Sequence, residues 1–267
     1  MSADQRAGQS SLQRRSAART AVVWDALQEV LEDSGGPSGA SVVDIGGGTG
    51  GFAVRVAELG HRVTVIDPSP DALAILARRA EESGVAERVT GRQGDLASLP
   101  GLVRDLGLDS EVDVVLCHGV LEIVDDPAAA LGALAAVLRP GGALSLLVSQ
   151  RHAAVVARAM AGHFQQARAL LDDTSGAHGA PGAHSAHGAS GTTRRFTAEE
   201  ITTVLDEAGF ETRAMHAVRV FVDLVPSSLV DLEPGSAGAL VELEQAVASR
   251  PEYLALGTQI HAVAVRR

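Results

Sequence analysis

A glycine-rich turn constrains the fold of this chain more than any other feature. The segment DIGGGTGG, residues 44–51, ends the β-branched run 41–45 and precedes an amphipathic stretch at 52–59. Glycine lets the backbone turn tightly and lets a ligand approach where a β-carbon would exclude it. A strand, a glycine turn and a helix in this order predict the first unit of a nucleotide-binding α/β fold.

Strand and helix patterns alternate along the rest of the chain. Apolar, β-branched runs predict six more strands, at 62–66, 88–92, 112–117, 143–149, 210–224 and 258–265. This alternation predicts an α/β fold with a Rossmann-like, mostly parallel sheet and helices on both faces. Ligands of such sheets bind beyond the carboxyl ends of the strands, where the strand order reverses. We therefore expect the functional site at that edge.

Two segments lack the periodicity of packed elements. The polar residues 1–16 predict a disordered tail, so that a single domain spans 17–267. Segment 174–193 is rich in Gly, Ala, Ser and His, and this composition predicts a flexible loop. Its histidines have glycine neighbours and no cysteine beside them, so we expect a linker and no metal site. These histidines are His178, His184 and His187.

Charge and hydropathy exclude several classes of protein. The formal net charge of −11 argues against binding nucleic acid by bulk charge. A single cysteine, Cys117, excludes an internal disulfide and fits a reducing compartment. No apolar stretch approaches the roughly 20 residues of a spanning helix, and the first residues lack the apolar core of a secretory signal. We expect a cytoplasmic protein that does not associate with membranes.

A carboxylate accompanies the glycine turn at a spacing that indicates an adenosine-containing cofactor. Asp67 lies 21 residues after Gly46, at the end of the predicted second strand, where it can hold ribose hydroxyls. Gly46, Gly48 and Gly51 also satisfy the dinucleotide fingerprint. These residues alone therefore fit both a nicotinamide dinucleotide and S-adenosylmethionine.

Two further features favour S-adenosylmethionine. Asp44 stands upstream of the first glycine, where enzymes that use this cofactor commonly carry an acid near its methionine end. Gly94-Asp95 follows the predicted third strand, where they commonly place an acid or an amide against the adenine amino group. The ordered set that predicts this cofactor is Asp44, Gly46, Gly48, Gly50, Asp67 and Asp95.

Successive motifs resemble those of class I methyltransferases, namely VVDIGGGTG, VTVIDPSP, QGDLA and LRPGGALSLLV. Motifs nearer the ends of the chain resemble the bacterial tRNA 5-carboxymethoxyuridine methyltransferase family: ARTAVVWDAL, VLCHGVLEIVDDP, AVRVFVDLVP and RPEYLALGTQIHAVAVR. The resemblance implies a seven-stranded sheet with a reversed last strand and S-adenosylmethionine as the cofactor. It also implies that the enzyme esterifies the carboxylate of a modified wobble uridine in tRNA.

The same resemblance implies cofactor contacts from Arg19, Gly46, Gly47, Asp67, Gly94, Asp95 and His118. Arg19 would reach the methionine carboxylate, and His118, at the end of the fourth strand, would face the methyl donor. Methyl transfer from a sulfonium is an in-line displacement, and a carboxylate acceptor needs a cation to hold one oxygen rather than a base. The predicted catalytic residues are His118 and Arg219, with Arg151 and His152 as further candidates.

Three alternatives stay open. Family members from enterobacteria carry a lysine-rich run where this chain has 174–193, and this difference, with the acidic net charge, favours a small-molecule acceptor over tRNA. A nicotinamide-dependent oxidoreductase would use the glycines of 46–51, but its usual Tyr-x-x-x-Lys pair is missing, since the one tyrosine is Tyr253. An adenosine-binding module without activity would have lost the function of Arg19 or His118.

Overall fold

The computed structural model describes residues 3–34, 36, 39–108, 112–171, 173, 194–230 and 235–267. Seven strands form one sheet: β1 Ser41–Ile45, β2 Arg62–Asp67, β3 Val89–Gln93, β4 Val112–His118, β5 Leu138–Ser149, β6 Phe210–Val218 and β7 Gln259–Arg266. Their order across the sheet is β3-β2-β1-β4-β5-β7-β6. Strand β7 runs antiparallel to both of its neighbours, whereas β1 to β5 pair in parallel. The predicted mostly parallel sheet with a reversed last strand is thereby confirmed.

Helices connect the strands and cover both faces of the sheet. They are α1 Ala3–Ser34, α2 Ala53–Glu58, α3 Pro70–Glu82, α4 Leu99–Asp105, α5 Pro127–Val137, α6 Arg151–Met160, α7 Phe164–Leu171, α8 Ala198–Glu207, α9 Ser227–Val230, α10 Ser236–Ala248 and α11 Pro251–Leu254, with a short 3-10 helix at Ala86–Arg88. Among the described helices, none combines the length and the apolar character needed to cross a bilayer.

Two hydrophobic cores lie on opposite faces of the sheet, because successive side chains of a strand point to opposite sides. In β4, Val114 and Leu116 belong to the core under α1, α2 and α3. Val115 and Cys117 belong to the core under α4, α5 and α8. Burial on both faces explains the nearly continuous apolar run of this strand.

Helix starts follow local capping chemistry. The hydroxyl of Ser69 accepts a hydrogen bond from the amide of Ala72, and proline occupies the first turn of α3. A capping box opens α8: the Thr197 hydroxyl accepts from the Glu200 amide, and the Glu200 carboxylate accepts from the Thr197 amide. These caps fix where each helix leaves the carboxyl edge of the sheet.

Some elements differ from the prediction. Helix α1 begins at Ala3, inside the segment predicted as a disordered tail; this segment contains the good helix formers Ala, Gln and Arg and no proline, so the packed part of α1 can propagate backwards. The predicted strand 210–224 ends at Val218, because Arg219 turns the chain with a φ of +62°. The predicted loop 174–193, with its three histidines, lies outside the described residues and stays a prediction.

Candidate functional site

The glycine turn follows β1 and is closely packed against neighbouring side chains. Gly46 has a φ of +70°, and a β-carbon there would lie 2.4 Å from Cγ2 of Val120. A β-carbon at Gly47 would lie 2.4 Å from Oδ2 of Asp44. Both positions therefore require glycine, one for its backbone angle and both for space.

A cavity of about 750 Å³ opens at the carboxyl edge of the sheet beside this turn. That volume falls within the range of roughly 300–1,000 Å³ for small-molecule sites. Five predicted residues line it: Gly46, Asp67, Gly94, Asp95 and His118. A larger depression, about 1220 Å³, lies at the opposite edge around His61 and Arg62, and none of the predicted site residues line it.

Two carboxylates flank the glycine turn, as predicted from their spacing. Asp67, which ends β2, accepts hydrogen bonds from the amides of Gly48 and Ser69, both at 2.9 Å. Asp44 is buried beneath the turn, and burial, with a smaller contribution from the negative charge of Asp67, raises its pKa to about 7. Asp44 is therefore poised to lose its proton when a cation comes close.

The adenine-side candidate, Asp95, lies in an exposed turn after β3. Its carboxylate accepts from the Ser98 amide at 2.9 Å, and its own amide donates to the Ser98 hydroxyl at 2.9 Å. Hydrogen bonds from Ser98 hold the pKa of Asp95 below its ordinary value. Gly94 precedes it where a β-carbon would lie 2.4 Å from Cδ1 of Leu102, so the turn packs directly on α4.

His118 ends β4 and forms part of the cavity wall. Its Nε2 lies 2.9 Å from the Ser145 hydroxyl, and the edge of the ring meets Phe52 with centroids 4.9 Å apart. Its Nδ1 is buried and has no hydrogen-bond partner among the described residues. Burial lowers the pKa of His118 to about 4, so the ring is neutral at pH 7. Of the two ring nitrogens, Nδ1 is therefore the one left without a hydrogen bond among the described residues.

Two of the predicted arginines, Arg19 and Arg219, pair with the same carboxylate, that of Asp223, which no sequence pattern indicated. Asp223 accepts from Arg19 of α1 at 3.0 Å through Oδ1 and from Arg219 at 2.5 Å through Oδ2. The hydroxyl of Thr258 also donates to Oδ2 at 3.2 Å. Neither arginine is among the residues that line the cavity. Two guanidinium groups and one carboxylate leave a net positive charge at this place.

A buried glutamate on α10 holds the backbone that carries Arg219. Glu244 is fully buried and accepts three successive amides, from Val220 at 2.9 Å, Phe221 at 2.8 Å and Val222 at 2.7 Å. These bonds follow directly after Arg219, whose left-handed φ of +62° is costly for a residue with a β-carbon. Glu244 therefore stabilises the turn that aims Arg219 at Asp223.

The other two cation candidates are used elsewhere or exposed. Arg151 is buried and pairs with Glu200 at 2.8 Å, and it also donates to the carbonyl of Arg195 at 3.1 Å. Removing one partner of such a pair leaves an uncompensated buried charge, so Arg151 serves to join α6 to α8. His152 is exposed on the surface of α6.

The residues at the carboxyl edge fit S-adenosylmethionine. The glycine turn leaves no room for β-carbons, Asp67 stands at the end of β2 where a ribose-binding acid belongs, and the cavity wall also contains the apolar Ile66 and Leu96. Among the described residues, no cluster of His, Cys, Asp and Glu side chains could hold a metal ion. The histidines of 174–193 lie outside the described residues.

Comparison with known sequences gives matches to methyltransferases. A family model described as a methyltransferase domain matches residues 43–144. The tRNA 5-carboxymethoxyuridine methyltransferase of Escherichia coli (strain K12) is 32% identical over 249 residues, which cover 92% of this chain and 87% of the relative. A ubiquinone biosynthesis O-methyltransferase from Xanthomonas axonopodis pv. citri is 37% identical over 136 residues, which cover 50% of this chain and 53% of the relative.

Comparison with solved structures gives the same fold. The magnesium protoporphyrin IX methyltransferase from Synechocystis PCC 6803, crystallised with S-adenosylhomocysteine, superimposes with a TM-score of 0.59. The match has 17% identity and covers 96% of this chain and 86% of that one. At this identity the likeness concerns the fold alone.

The role of Glu244 predicts a specific loss of stability. In Glu244→Gln, an NH2 group, which only donates, replaces one acceptor oxygen, so at least one buried N–H loses its partner. We expect the free energy of unfolding, measured by urea titration, to fall by about 1–3 kcal/mol. Glu242→Gln, an exposed change on the same helix, should leave it unchanged. Equal stability of the two variants would contradict the assignment.

Proposed function

The chain belongs to the bacterial tRNA 5-carboxymethoxyuridine methyltransferase family of class I S-adenosylmethionine-dependent methyltransferases, and we propose that it methylates the carboxylate of 5-carboxymethoxyuridine at the wobble position of tRNA. The E. coli relative that supports this substrate matches 92% of the chain. A tRNA substrate implies a cytoplasmic enzyme.

The pairing of Arg19 and Arg219 with Asp223 is the observation that carries the proposal. Each carboxylate oxygen of Asp223 pairs with one guanidinium group, Oδ1 with Arg19 at 3.0 Å and Oδ2 with Arg219 at 2.5 Å. Arginine presents a planar fork of donors that matches a carboxylate. A place that already holds the carboxylate of Asp223 between two arginines is chemically suited to a second carboxylate in exchange for it.

When bound, S-adenosylmethionine supplies a methyl group on a sulfonium sulfur, and transfer to a carboxylate oxygen gives the methyl ester and S-adenosylhomocysteine. In our proposal Asp67 holds the ribose, the turn at Gly46 to Gly48 accommodates the methionine end, and Asp95 meets the adenine. Arg19 neutralises the methionine carboxylate. Arg219 holds one oxygen of the acceptor carboxylate and leaves the other free to attack.

The hairpin of α6 and α7 provides a surface suited to tRNA despite the acidic net charge. The hairpin, residues 151–171, contains no Asp or Glu, whereas the whole chain has a net charge of −11. Arg158 and Arg168 are exposed, and Phe164 between them is 71% exposed. Arginines contact phosphates, and an exposed aromatic ring can stack on an unpaired base. Helix α6 begins two residues after the end of β5, at the edge that holds the cavity.

A small-molecule acceptor is the second candidate. The acidic net charge favours it, and so does the match of half the chain to the ubiquinone biosynthesis O-methyltransferase. In that reading, the acceptor would be a carboxylic acid or a hydroxyl compound that binds beside the same cofactor.

The first test is methylation of tRNA. We expect radiolabel from S-adenosylmethionine to enter tRNA that contains 5-carboxymethoxyuridine, and to be absent from tRNA that lacks it. The label should be released by mild alkali, because a methyl ester hydrolyses there. Label in neither tRNA, together with label in small carboxylic acids, would reject the tRNA proposal and support the second candidate.

Arg219 provides a residue-level test of the same reaction. We expect Arg219→Gln to lower kcat/KM for modified tRNA by about 100-fold, because removing a cation that pairs with a carboxylate costs roughly 2–5 kcal/mol. Calorimetric affinity for S-adenosylhomocysteine should change little. Arg213→Gln is the matched control, since Arg213 is exposed on β6, the strand that precedes Arg219, and pairs only with Glu211 among the described residues. Unchanged turnover in Arg219→Gln would exclude the proposed role.

The hairpin surface predicts a change in the salt dependence of tRNA binding. Replacing both Arg158 and Arg168 with Ala should weaken binding and reduce the slope of log K against log salt by about 0.7–0.9 for each phosphate that the variant no longer neutralises. The double variant Arg62→Ala/Arg88→Ala removes two exposed arginines at the opposite edge of the sheet and should keep the original slope. An identical decrease of slope in both would show that tRNA does not bind at the hairpin specifically.

Asp44 predicts that cofactor binding releases a proton. With a pKa of about 7, about 0.9 of the Asp44 carboxyls are protonated at pH 6. The cationic methionine end favours the ionised form and lowers this pKa, so up to that fraction of a proton should leave at pH 6 and almost none at pH 8.5. Calorimetry in two buffers of different ionisation enthalpy measures the release. Asp44→Asn should abolish it, and a release that persists in this variant would place the proton elsewhere.

A further inference from the structure

Four polar side chains form a continuous hydrogen-bonded row across four neighbouring strands. His118 Nε2 lies 2.9 Å from the Ser145 hydroxyl of β5. The same hydroxyl lies 2.8 Å from Nε2 of His261 in β7, and Nδ1 of His261 lies 3.3 Å from Nδ1 of His216 in β6. The rings of His216 and His261 are stacked, with centroids 5.5 Å apart. We call these four residues the strand-crossing row.

Strand register produces this alignment. His118 is opposite Leu147 of β5, Leu147 is opposite His261, and His261 is opposite His216. Ser145 is two residues before Leu147, so its side chain points to the same face of the sheet. Ser145 and His261 are fully buried there. Buried polar groups need hydrogen-bond partners, and in this row each supplies one to the next.

The single hydroxyl proton of Ser145 gives the row a direction. Ser145 contacts two imidazole nitrogens and has one hydroxyl proton, so in a fully paired row it donates to one nitrogen and accepts from the other. Burial lowers the pKa of both His118 and His261, and each ring is therefore neutral with one N–H. If Ser145 donates to His118, the proton of that ring must be on Nδ1, and His261 must carry its proton on Nε2. If Ser145 donates to His261, Nδ1 of His118 has no proton.

The hydrogen-bond direction thus determines what His118 offers to a ligand. Its Nδ1 is buried and unpartnered among the described residues, although the ring is part of the cavity wall. An ionised carboxylate only accepts hydrogen bonds. It can bind His118 only when Nδ1 carries the proton, that is, when Ser145 donates to His118 and accepts from His261.

We propose that Ser145 and His261 are positioning residues that make Nδ1 of His118 a hydrogen-bond donor to a carboxylate. The carboxylate belongs to the methionine end of the cofactor or to the acceptor. If the carboxylate is that of the acceptor, the inference rests on the proposed function. If it is that of the cofactor, the inference requires only that the cofactor binds. His216, half-buried at the far end of the row, completes it by donating from Nδ1 to His261.

The experiment is a long-range ¹H–¹⁵N correlation on the full chain with imidazole-labelled histidine, which separates protonated from unprotonated ring nitrogens. The His118 signals are assigned by their loss in His118→Gln. Spectra are recorded without ligand, with S-adenosylhomocysteine, with that compound plus 5-carboxymethoxyuridine, and with its methyl ester in place of the free acid. We expect Nδ1 of His118 to be protonated in the sample whose ligand carries the carboxylate that binds it.

The arms distinguish the two sources. A protonated Nδ1 with S-adenosylhomocysteine alone assigns the cofactor's carboxylate. A protonated Nδ1 that requires the free acid, and is not obtained with the methyl ester, assigns the acceptor's. An unprotonated Nδ1 in every arm overturns the inference. Failure of the proposed function is read separately, from tRNA methylation.

Variants test whether the row sets this state. In Ser145→Ala we expect Nδ1 protonation to fall in the liganded complex and the affinity for the assigned carboxylate ligand to drop by about tenfold. Ser145→Thr keeps the hydroxyl and should restore both. Thr64→Val removes a buried strand hydroxyl on β2, outside the row, and should change neither. An unaltered His118 spectrum in a folded Ser145→Ala would also overturn the inference.

Discussion

Strand β1 pairs in parallel with β2 on one side and with β4 on the other, and the location of the site depends on this pairing. The connections leave β1 and β4 on opposite sides, so their carboxyl ends part and a crevice forms between them. The glycine turn ends β1, Asp67 ends β2 and His118 ends β4. Backbone hydrogen bonding therefore brings together Gly46, Asp67 and His118, which are 21 to 72 positions apart in the chain, before any side chain contributes.

The turn that carries Arg219 is organised differently, because a side chain there holds the backbone. The three amides that follow Arg219 lie beyond the end of β6 and donate to Glu244. A non-glycine residue in the left-handed region costs about 1–3 kcal/mol, and bonds to a charged acceptor contribute about 1.5–3 kcal/mol each. The bonds to Glu244 thus offset the strain. The outcome is a rigid turn that holds a guanidinium at the edge of the sheet.

The positions of the glycine turn and of Asp67 at the edge of the sheet can be predicted from the sequence, because their signals are local. Glycines at 46–48 and an acid at the end of the next strand follow from backbone geometry. Asp223 and Glu244 gave no such signal, since Arg19 lies 204 positions from Asp223 and the amides that Glu244 binds lie 22 to 24 positions from it. Ser145 and His261 could have been noticed as polar residues inside apolar strands, which must find partners. What no pattern could give is that these two lie side by side, because the pairing of β5 with β7 is a long-range event. The polar composition of residues 1–16 predicts disorder, whereas helix α1 begins at Ala3.

Asp223 can also be regarded as a tethered carboxylate that competes with free carboxylates for Arg219. A group tethered within a fold acts at a high effective concentration, on the order of millimolar or more. Any free carboxylate that binds Arg219 must displace Asp223. A simple anion such as acetate makes no other contact that would favour this exchange. An acceptor that also binds through a ribose, a base and several phosphates brings that additional affinity. Under the proposed function, the internal carboxylate would therefore act as a filter that rejects small acids and admits a carboxylate that arrives as part of a larger ligand.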